Sequence, residues 1–200
     1  MNWKTRSREA EEMDDLELSG DRLIQTLEDL SKVHRWLGGH HQLIGIMDEL
    51  MTIDPTIRRL VDFGCGGGDS LNTIYNWSQA NGKAIQLMGL DANASIITYA
   101  EQKAEKRSIK FFTGNIFTSS DLEVFKDSDV AVFSLFLHHF SDEEILGIFR
   151  RCADLGFRYV IVTDLQRSVW AYRLFNIGTY LFPFSEMALD DGLRSIRKGF

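Results

Sequence analysis

The sequence predicts an α/β protein: a doubly wound, mostly parallel sheet with an N-terminal helical cover. Three observations predict it. Short apolar runs alternate with amphipathic segments of helical period, a glycine-rich turn joins the first run to the helix after it, and a carboxylate closes the second run. The 200 residues are 44% apolar and 26% charged, which suits one domain of ordinary size. Residues 1–57 form an arm and helical cover, and residues 58–200 form the α/β domain, ending in an aromatic-rich segment.

In the arm, Glu9, Glu11, Glu12, Asp14, Asp15 and Glu17 crowd into residues 9–17, which can bury little surface and are expected to be mobile or loosely docked. Leu23, Leu27 and Leu30 then recur at helical spacing behind caps at Ser19 and Asp21, and Leu43, Ile44, Met47, Leu50 and Met51 repeat the pattern. Two helices are expected, broken at Gly38-Gly39 and ended by Asp54-Pro55. Strands follow at 60–63, 85–90, 109–113, 130–135 and 159–163, all short and apolar enough to be buried on both faces. Helices fall between them at 70–80, 92–106 and 143–155. The last has the clearest start: Ser141 and Glu144 form a capping-box pair, and Phe140 and Ile145 stand where a hydrophobic staple closes. Strand, helix and strand repeated in this way make a parallel sheet with helices on both faces.

Charge and composition exclude several partner classes. With 22 Lys+Arg against 29 Asp+Glu the net charge is −7, and no basic stripe is present to neutralise a phosphate backbone, so nucleic acid is not expected as a partner. The apolar runs fall far short of the ~20 residues of a membrane helix. Residues 1–20 lack the apolar core of an export signal, and a cytoplasmic location is expected. Cys65 and Cys152 stand far apart without partners at metal-ligand spacing, so neither a disulfide nor a metal is expected.

The sharpest motif is Val61-Asp62-Phe63-Gly64-Cys65-Gly66-Gly67-Gly68-Asp69-Ser70, an apolar strand running through glycines into a helix. Glycines suit a turn that needs unusual backbone conformations and that a ligand approaches closely. A dinucleotide fingerprint G-x-G-x-x-G begun at Gly64 requires glycine at 69, where Asp69 stands. The pattern present is D-x-G-x-G-x-G. Asp62 is a poor neighbour for a pyrophosphate but accepts hydrogen bonds from a ligand ammonium, directly or through water, which favours a zwitterion. In Gly89-Leu90-Asp91-Ala92-Asn93 the carboxylate of Asp91 ends the second strand, placed to accept ribose hydroxyls; the plainer role is a helix cap. Asn115 offers an amide to an adenine edge, or is simply a turn residue after Gly114.

With these motifs in register, residues 59–163 resemble the class I S-adenosylmethionine-dependent methyltransferases of the small-molecule type. The resemblance implies a Rossmann-like sheet with S-adenosylmethionine as cofactor. Asp62, Gly64, Cys65, Gly66 and Gly68 would lie at the methionine moiety, Asp91 and Ala92 at the ribose, Asn115 and Ile116 at the adenine, and Ser134 and Leu135 at the sulfonium. The run Leu135-Phe136-Leu137-His138-His139-Phe140 matches the post-strand motif of members that include the quinone-biosynthesis type. His34-Arg35-Trp36-Leu37-Gly38-Gly39 resembles an Arg-x-x-Gly-Gly bend in related enzymes, where Arg35 would pair with the methionine carboxylate; otherwise it is a solvated arginine. The family sheet usually has seven strands, so the closing C-terminal strands are expected to be lacking, leaving an edge that favours a homodimer.

The implied reaction is methyl transfer to an oxygen or carbon of a small, largely apolar acceptor such as a phenol, quinone precursor or polyketide. His138 or His139 is the candidate base, at the end of the fourth strand where ligands bind in open α/β sheets; their plainer role is to cap the strand end. Strand alternation would put them on different sides. Trp170, Tyr172, Phe175, Tyr180, Phe182 and Phe184 would make an apolar roof over the acceptor. Two rivals remain: a non-catalytic S-adenosylmethionine-binding or partner subunit, and a nicotinamide-dependent oxidoreductase, which Asp69 disfavours.

Overall fold

In the computed structural model, which describes residues 3–36, 38–178 and 184–200, five parallel strands carry the architecture. They are β1 (Arg59–Phe63), β2 (Gln86–Asp91), β3 (Ile109–Thr113), β4 (Val130–Ser134) and β5 (Tyr159–Thr163), in the order β3-β2-β1-β4-β5. The order reverses between β1 and β4, and it is beyond the carboxyl ends of strands at such a reversal that open α/β sheets hold ligands. Asp62 pairs in register with Gly89 on one side and Val132 on the other.

Helices α1 (Asp21–Trp36), α2 (Gly39–Ile53), α3 (Asp69–Ala80), α4 (Ala94–Lys103), α5 (Ser119–Leu122), α6 (Asp142–Asp154), α7 (Val169–Gly178) and α8 (Glu186–Lys198) complete the fold. Period-two alternation divides the strand residues between two cores. Leu60, Leu87, Val132 and Ile161 pack with Leu43 and Met47 of α2 and Leu71 and Ile74 of α3. Val61, Phe63, Met88 and Phe133 pack on the other face with Phe125 and with Ile145, Ile148 and Cys152 of α6. Each such side chain, fully buried, contributes roughly 1.5–3 kcal/mol. Ser141 and Glu144 close the expected capping box on α6.

Two expectations are corrected. Burial on both faces holds for β1, β2 and β4 but not for the edges: in β5, Val160 and Val162 are 43% and 41% exposed while Ile161 and Thr163 are buried. An edge strand has a neighbour on one side only, and here its second face is not covered by the described helices. The acidic arm, expected to be mobile or loosely docked, is held by a specific set of bonds. Ser7 N–H donates to the Arg197 carbonyl at 3.0 Å, and Asp191 accepts the backbone N–H groups of Glu12 at 2.8 Å and Met13 at 3.0 Å. Arg197 pairs with Glu9 at 2.8 Å and Arg194 donates to the Ala10 carbonyl at 3.0 Å. Glu12 pairs with Arg22 at the start of α1, and the cations that meet Glu9, Glu11 and Asp14 lie on α8, at the other end of the sequence. No described helix is long and apolar enough to cross a membrane.

Candidate functional site

The glycine turn is held to the sheet by its own backbone. Gly64 and Cys65 donate to the Leu90 carbonyl at 2.8 and 3.0 Å, while Gly64, Gly66 and Gly68 all take positive φ, at 69°, 51° and 74°. That conformation explains glycine at each position. Close approach is a separate requirement, met only at Gly66. A Cβ on Gly64 would strike the Phe136 ring and one on Gly68 would press on Phe111, whereas one on Gly66 would meet nothing within 4 Å.

Asp91 closes β2 beside that opening. Its carboxylate accepts the Gly66 N–H at 3.1 Å and the Asn93 N–H at 3.0 Å. It is not the cap of α4: Asn93 is, accepting from Ser95 and Ile96 N–H at 2.8 and 3.2 Å. Burial raises the Asp91 pKa against the pull of those backbone hydrogen bonds. Beneath it Asp62 is 1% exposed, with an Oδ1 that accepts no hydrogen bond. Burial, reinforced by the Asp91 charge, pushes the Asp62 carboxyl up, and burial does the same to the Cys65 thiol. A ligand that brings a positive charge or N–H donors to this corner would offset that cost.

The strand ends open into a cavity of about 710 Å³, within the ~300–1,000 Å³ range of small-molecule sites. Of the residues singled out in the sequence, Gly64, Cys65, Gly66, Asp91, Ala92, Asn115, Ile116, Ser134, Leu135, His138 and His139 line it. Asp62, Gly68 and Arg35 do not. Asp62 lies beneath the turn, Gly68 caps α3, and Arg35 is exposed on the last turn of α1. From that region His34 faces the cavity instead; burial, aided by the neighbouring His40, lowers its pKa to about 4 and keeps the ring neutral. The Asn115 side chain accepts the Phe117 N–H at 2.9 Å, so the amide is also the turn residue of its loop. Among the described residues of the expected aromatic roof, Phe175 lines the cavity. Trp170 is 70% exposed, Tyr172 packs edge-on against Trp3, Phe184 is not among the cavity residues, and Tyr180 and Phe182 lie outside the described residues. Phe117, Phe136 and Phe140 supply aromatic wall in its place.

The two histidines do not alternate. Leu135 takes φ 53°, a strained value for a branched side chain, and the chain leaves β4 in a tight helical turn over Leu137–His139. Both rings therefore meet the arm. His138, 3% exposed, donates Nδ1–H to Asp164 at 2.6 Å, and His139 does the same to Asp14 at 2.7 Å. Glu11, 7% exposed, reaches between them: its two oxygens lie 3.7 Å from His138 Nε2 and 3.9 Å from His139 Nε2. Lys198 stands 3.2 Å from Glu11 Oε1 and 3.3 Å from Asp14. Burial works against the His139 cation, but the Asp14 hydrogen bond and the Glu11 charge prevail and raise its pKa. The sequence reading did not find Glu11, Asp14, Asp164 or Lys198 as site residues, because no local spacing links them to the histidines.

Residues 60–155 match the family model described as a methyltransferase domain. No curated protein matches the chain. Among solved structures, magnesium protoporphyrin IX methyltransferase (ChlM) from Synechocystis PCC 6803 with bound SAH is similar at 20% identity and a TM-score of 0.52, over 74% of this chain and 65% of that one. The plantazolicin methyltransferase BpumL in complex with SAH is similar at 17% identity and a TM-score of 0.53, over 90% of this chain and 59% of that one. At these identities the likeness is one of fold, and the chain spans less than two thirds of either relative.

Proposed function

We propose that this chain transfers a methyl group from S-adenosylmethionine to an oxygen or carbon of a small, largely apolar acceptor, a reading supported by the match of residues 60–155 to the methyltransferase-domain model. The observation that carries the reading is the corner where Gly66 leaves open space beside the Asp91 carboxylate. Asp91 retains acceptor capacity for two ribose hydroxyls beyond its two backbone donors. The unpartnered oxygen of Asp62 suits an ammonium group reached through water or through its field. Asn115, Ile116, Ser134 and Leu135 all line the cavity, which supports roles for the first two toward the adenine and for the last two where methyl group and acceptor would meet.

S-adenosylmethionine, when bound, supplies a methyl group on a sulfonium that needs no further activation. The chain's task is then alignment, worth ~7–11 kcal/mol through effective molarity. Phe117, Phe136, Phe140 and Phe175 give the cavity apolar walls suited to a phenol, a quinone precursor or a polyketide-like acceptor. As the carbon–sulfur bond breaks and the new bond to oxygen or carbon forms, an acceptor hydroxyl loses its proton at the corner made by His138 and His139. The exposed Val160 and Val162 on β5 support the homodimer suggested by the sequence.

Calorimetry with S-adenosylhomocysteine tests the reading. Saturable binding is expected, and a folded sample that takes up none overturns it. Two features favour the non-catalytic alternative: the Phe136 ring fills the space over Gly64, and Glu11 closes over the histidines. Binding without turnover across phenolic and enolic acceptors would support that second reading.

A further inference from the structure

We propose that Glu11, His138 and His139 form a site for a divalent first-row transition-metal ion such as Zn²⁺, on the acceptor side of the cavity. For its acceptor this assignment rests on the methyl-transfer reading; for the ion it rests on geometry alone. Each residue offers one ligand atom, and the three atoms lie within 4.8 Å of one another. His138 Nε2 is 3.7 Å and His139 Nε2 3.9 Å from the Glu11 oxygens, too far for hydrogen bonds. Ligand bonds of ~2.0–2.1 Å in tetrahedral array place neighbouring donor atoms about 3.4 Å apart; the two imidazole–carboxylate distances, each to a different Glu11 oxygen, exceed this by a few tenths of an ångström, and the three ligand atoms, within 4.8 Å of one another, draw together when an ion seats.

The outer partners are those a metal-binding histidine needs. Asp164 and Asp14 each hold an Nδ1–H, at 2.6 and 2.7 Å, which fixes both rings and leaves both Nε2 atoms turned toward Glu11. Glu11 Oε1 and His138 Nε2 are buried and neither makes a hydrogen bond; Lys198, 3.2 Å from Glu11 Oε1, is an ion pair without hydrogen-bond geometry. Charge agrees. The carboxylates of Glu11, Asp14 and Asp164 outnumber the single ammonium of Lys198 around the two rings, a surrounding that favours a cation. Two nitrogens and one oxygen suit Zn²⁺, Co²⁺ or Mn²⁺ better than Ca²⁺, which takes oxygen ligands.

Three protein ligands leave a position open toward the cavity. A phenol or enol hydroxyl coordinated there would be acidified, as metal-bound water is, and would release its proton to solvent in the cavity, leaving an anionic oxygen that takes the methyl group as the carbon–sulfur bond breaks and the sulfonium becomes a neutral thioether. The histidines then act by holding the ion, not by taking the proton, and the favoured acceptors are phenols or enols methylated on oxygen.

The test is titration of the chelator-stripped chain with Co²⁺, read by its visible d–d absorption, followed by displacement with Zn²⁺. One equivalent is expected to bind. Glu11→Gln, His138→Ala and His139→Ala, each checked for folding by circular dichroism, should lower affinity by tenfold or more, while His40→Ala, in the imidazole pair with His34, should not. Failure to bind Co²⁺ and Zn²⁺, or affinity unaltered in the isosteric Glu11→Gln variant, overturns the site. Calorimetry with S-adenosylhomocysteine on the same sample separates the two readings: its binding without Co²⁺ uptake removes only the metal, and Co²⁺ uptake without it removes only the methyl donor.

Discussion

Asp164, the residue after β5, holds Nδ1 of His138 at 2.6 Å while its second oxygen accepts the His138 backbone N–H at 3.2 Å. This two-point grip ties the end of β5 to the turn after β4 and sets which imidazole nitrogen faces the cavity. Burial pushes the Asp164 carboxyl up, but the His138 side-chain hydrogen bond, with the Leu165 and His138 backbone N–H groups, outweighs it and holds its pKa low. Asp164→Asn leaves the volume unchanged and replaces a carboxylate with an amide. Turnover should fall ~10–100-fold, mainly in kcat, as for other partners that orient a histidine. Steady-state kinetics with the methyl donor varied would show it; an equal change in KM would place Asp164 in donor binding instead.

Asp91→Ala removes an acceptor for two backbone donors and, on this account, for the ribose. A charge-assisted hydrogen bond contributes ~1.5–3 kcal/mol, so S-adenosylhomocysteine affinity should drop by roughly 10–100-fold or more. Asp91→Asn should fall between the two. Calorimetry reads both, and unchanged affinity would reject the ribose assignment.

Gly66→Ala and Gly64→Ala should part company. Both place alanine at positive φ, costing about 1–2 kcal/mol. Gly66→Ala meets no atom within 4 Å, so it should remain folded while its methyl group intrudes where ligand is expected and abolishes binding. Gly64→Ala drives into the Phe136 ring and should lose more stability. Urea unfolding alongside calorimetry distinguishes them.

Asp191→Ala leaves the Glu12 and Met13 N–H groups without their acceptor. The arm should undock, and hydrogen exchange at residues 12 and 13 should rise toward that of an open chain. A loss of roughly 1–3 kcal/mol in arm docking follows from two unmade bonds to a carboxylate.

His34 supplies a pH test. Its pKa falls from the ordinary 6.5 to about 4, chiefly through burial, so between those values the unfolded chain binds more protons than the folded one. Stability should therefore be full above about pH 6.5 and decline as pH falls toward 4, by roughly 2–3 kcal/mol at most. His34→Gln should flatten that part of the profile of urea midpoint against pH.

Much of this was legible beforehand. The span of β3 and β5, the Ser141 capping box and the place of Asp91 at the end of β2 all follow from local apolar pattern and cap chemistry. What escaped was non-local. The arm looked mobile or loosely docked because Glu9, Glu11 and Asp14 meet Arg197 and Lys198, and its backbone meets Asp191 and Arg194, only after the chain has closed on itself. The histidines looked divergent because alternation was carried past β4, where Leu135 at positive φ turns the chain and brings His139 to Asp14, 125 positions away. Glycine at 64 and 68 signalled backbone conformation truly, yet the space there belongs to Phe136 and Phe111.

The most direct test of the central claim is a crystal structure of the chain grown with S-adenosylhomocysteine. The account predicts the nucleoside in the cavity with its ribose hydroxyls on the Asp91 carboxylate and its amino-acid end beside Gly66. A bound ligand seated elsewhere, with Asp91 still engaged only by Gly66 and Asn93, would contradict it.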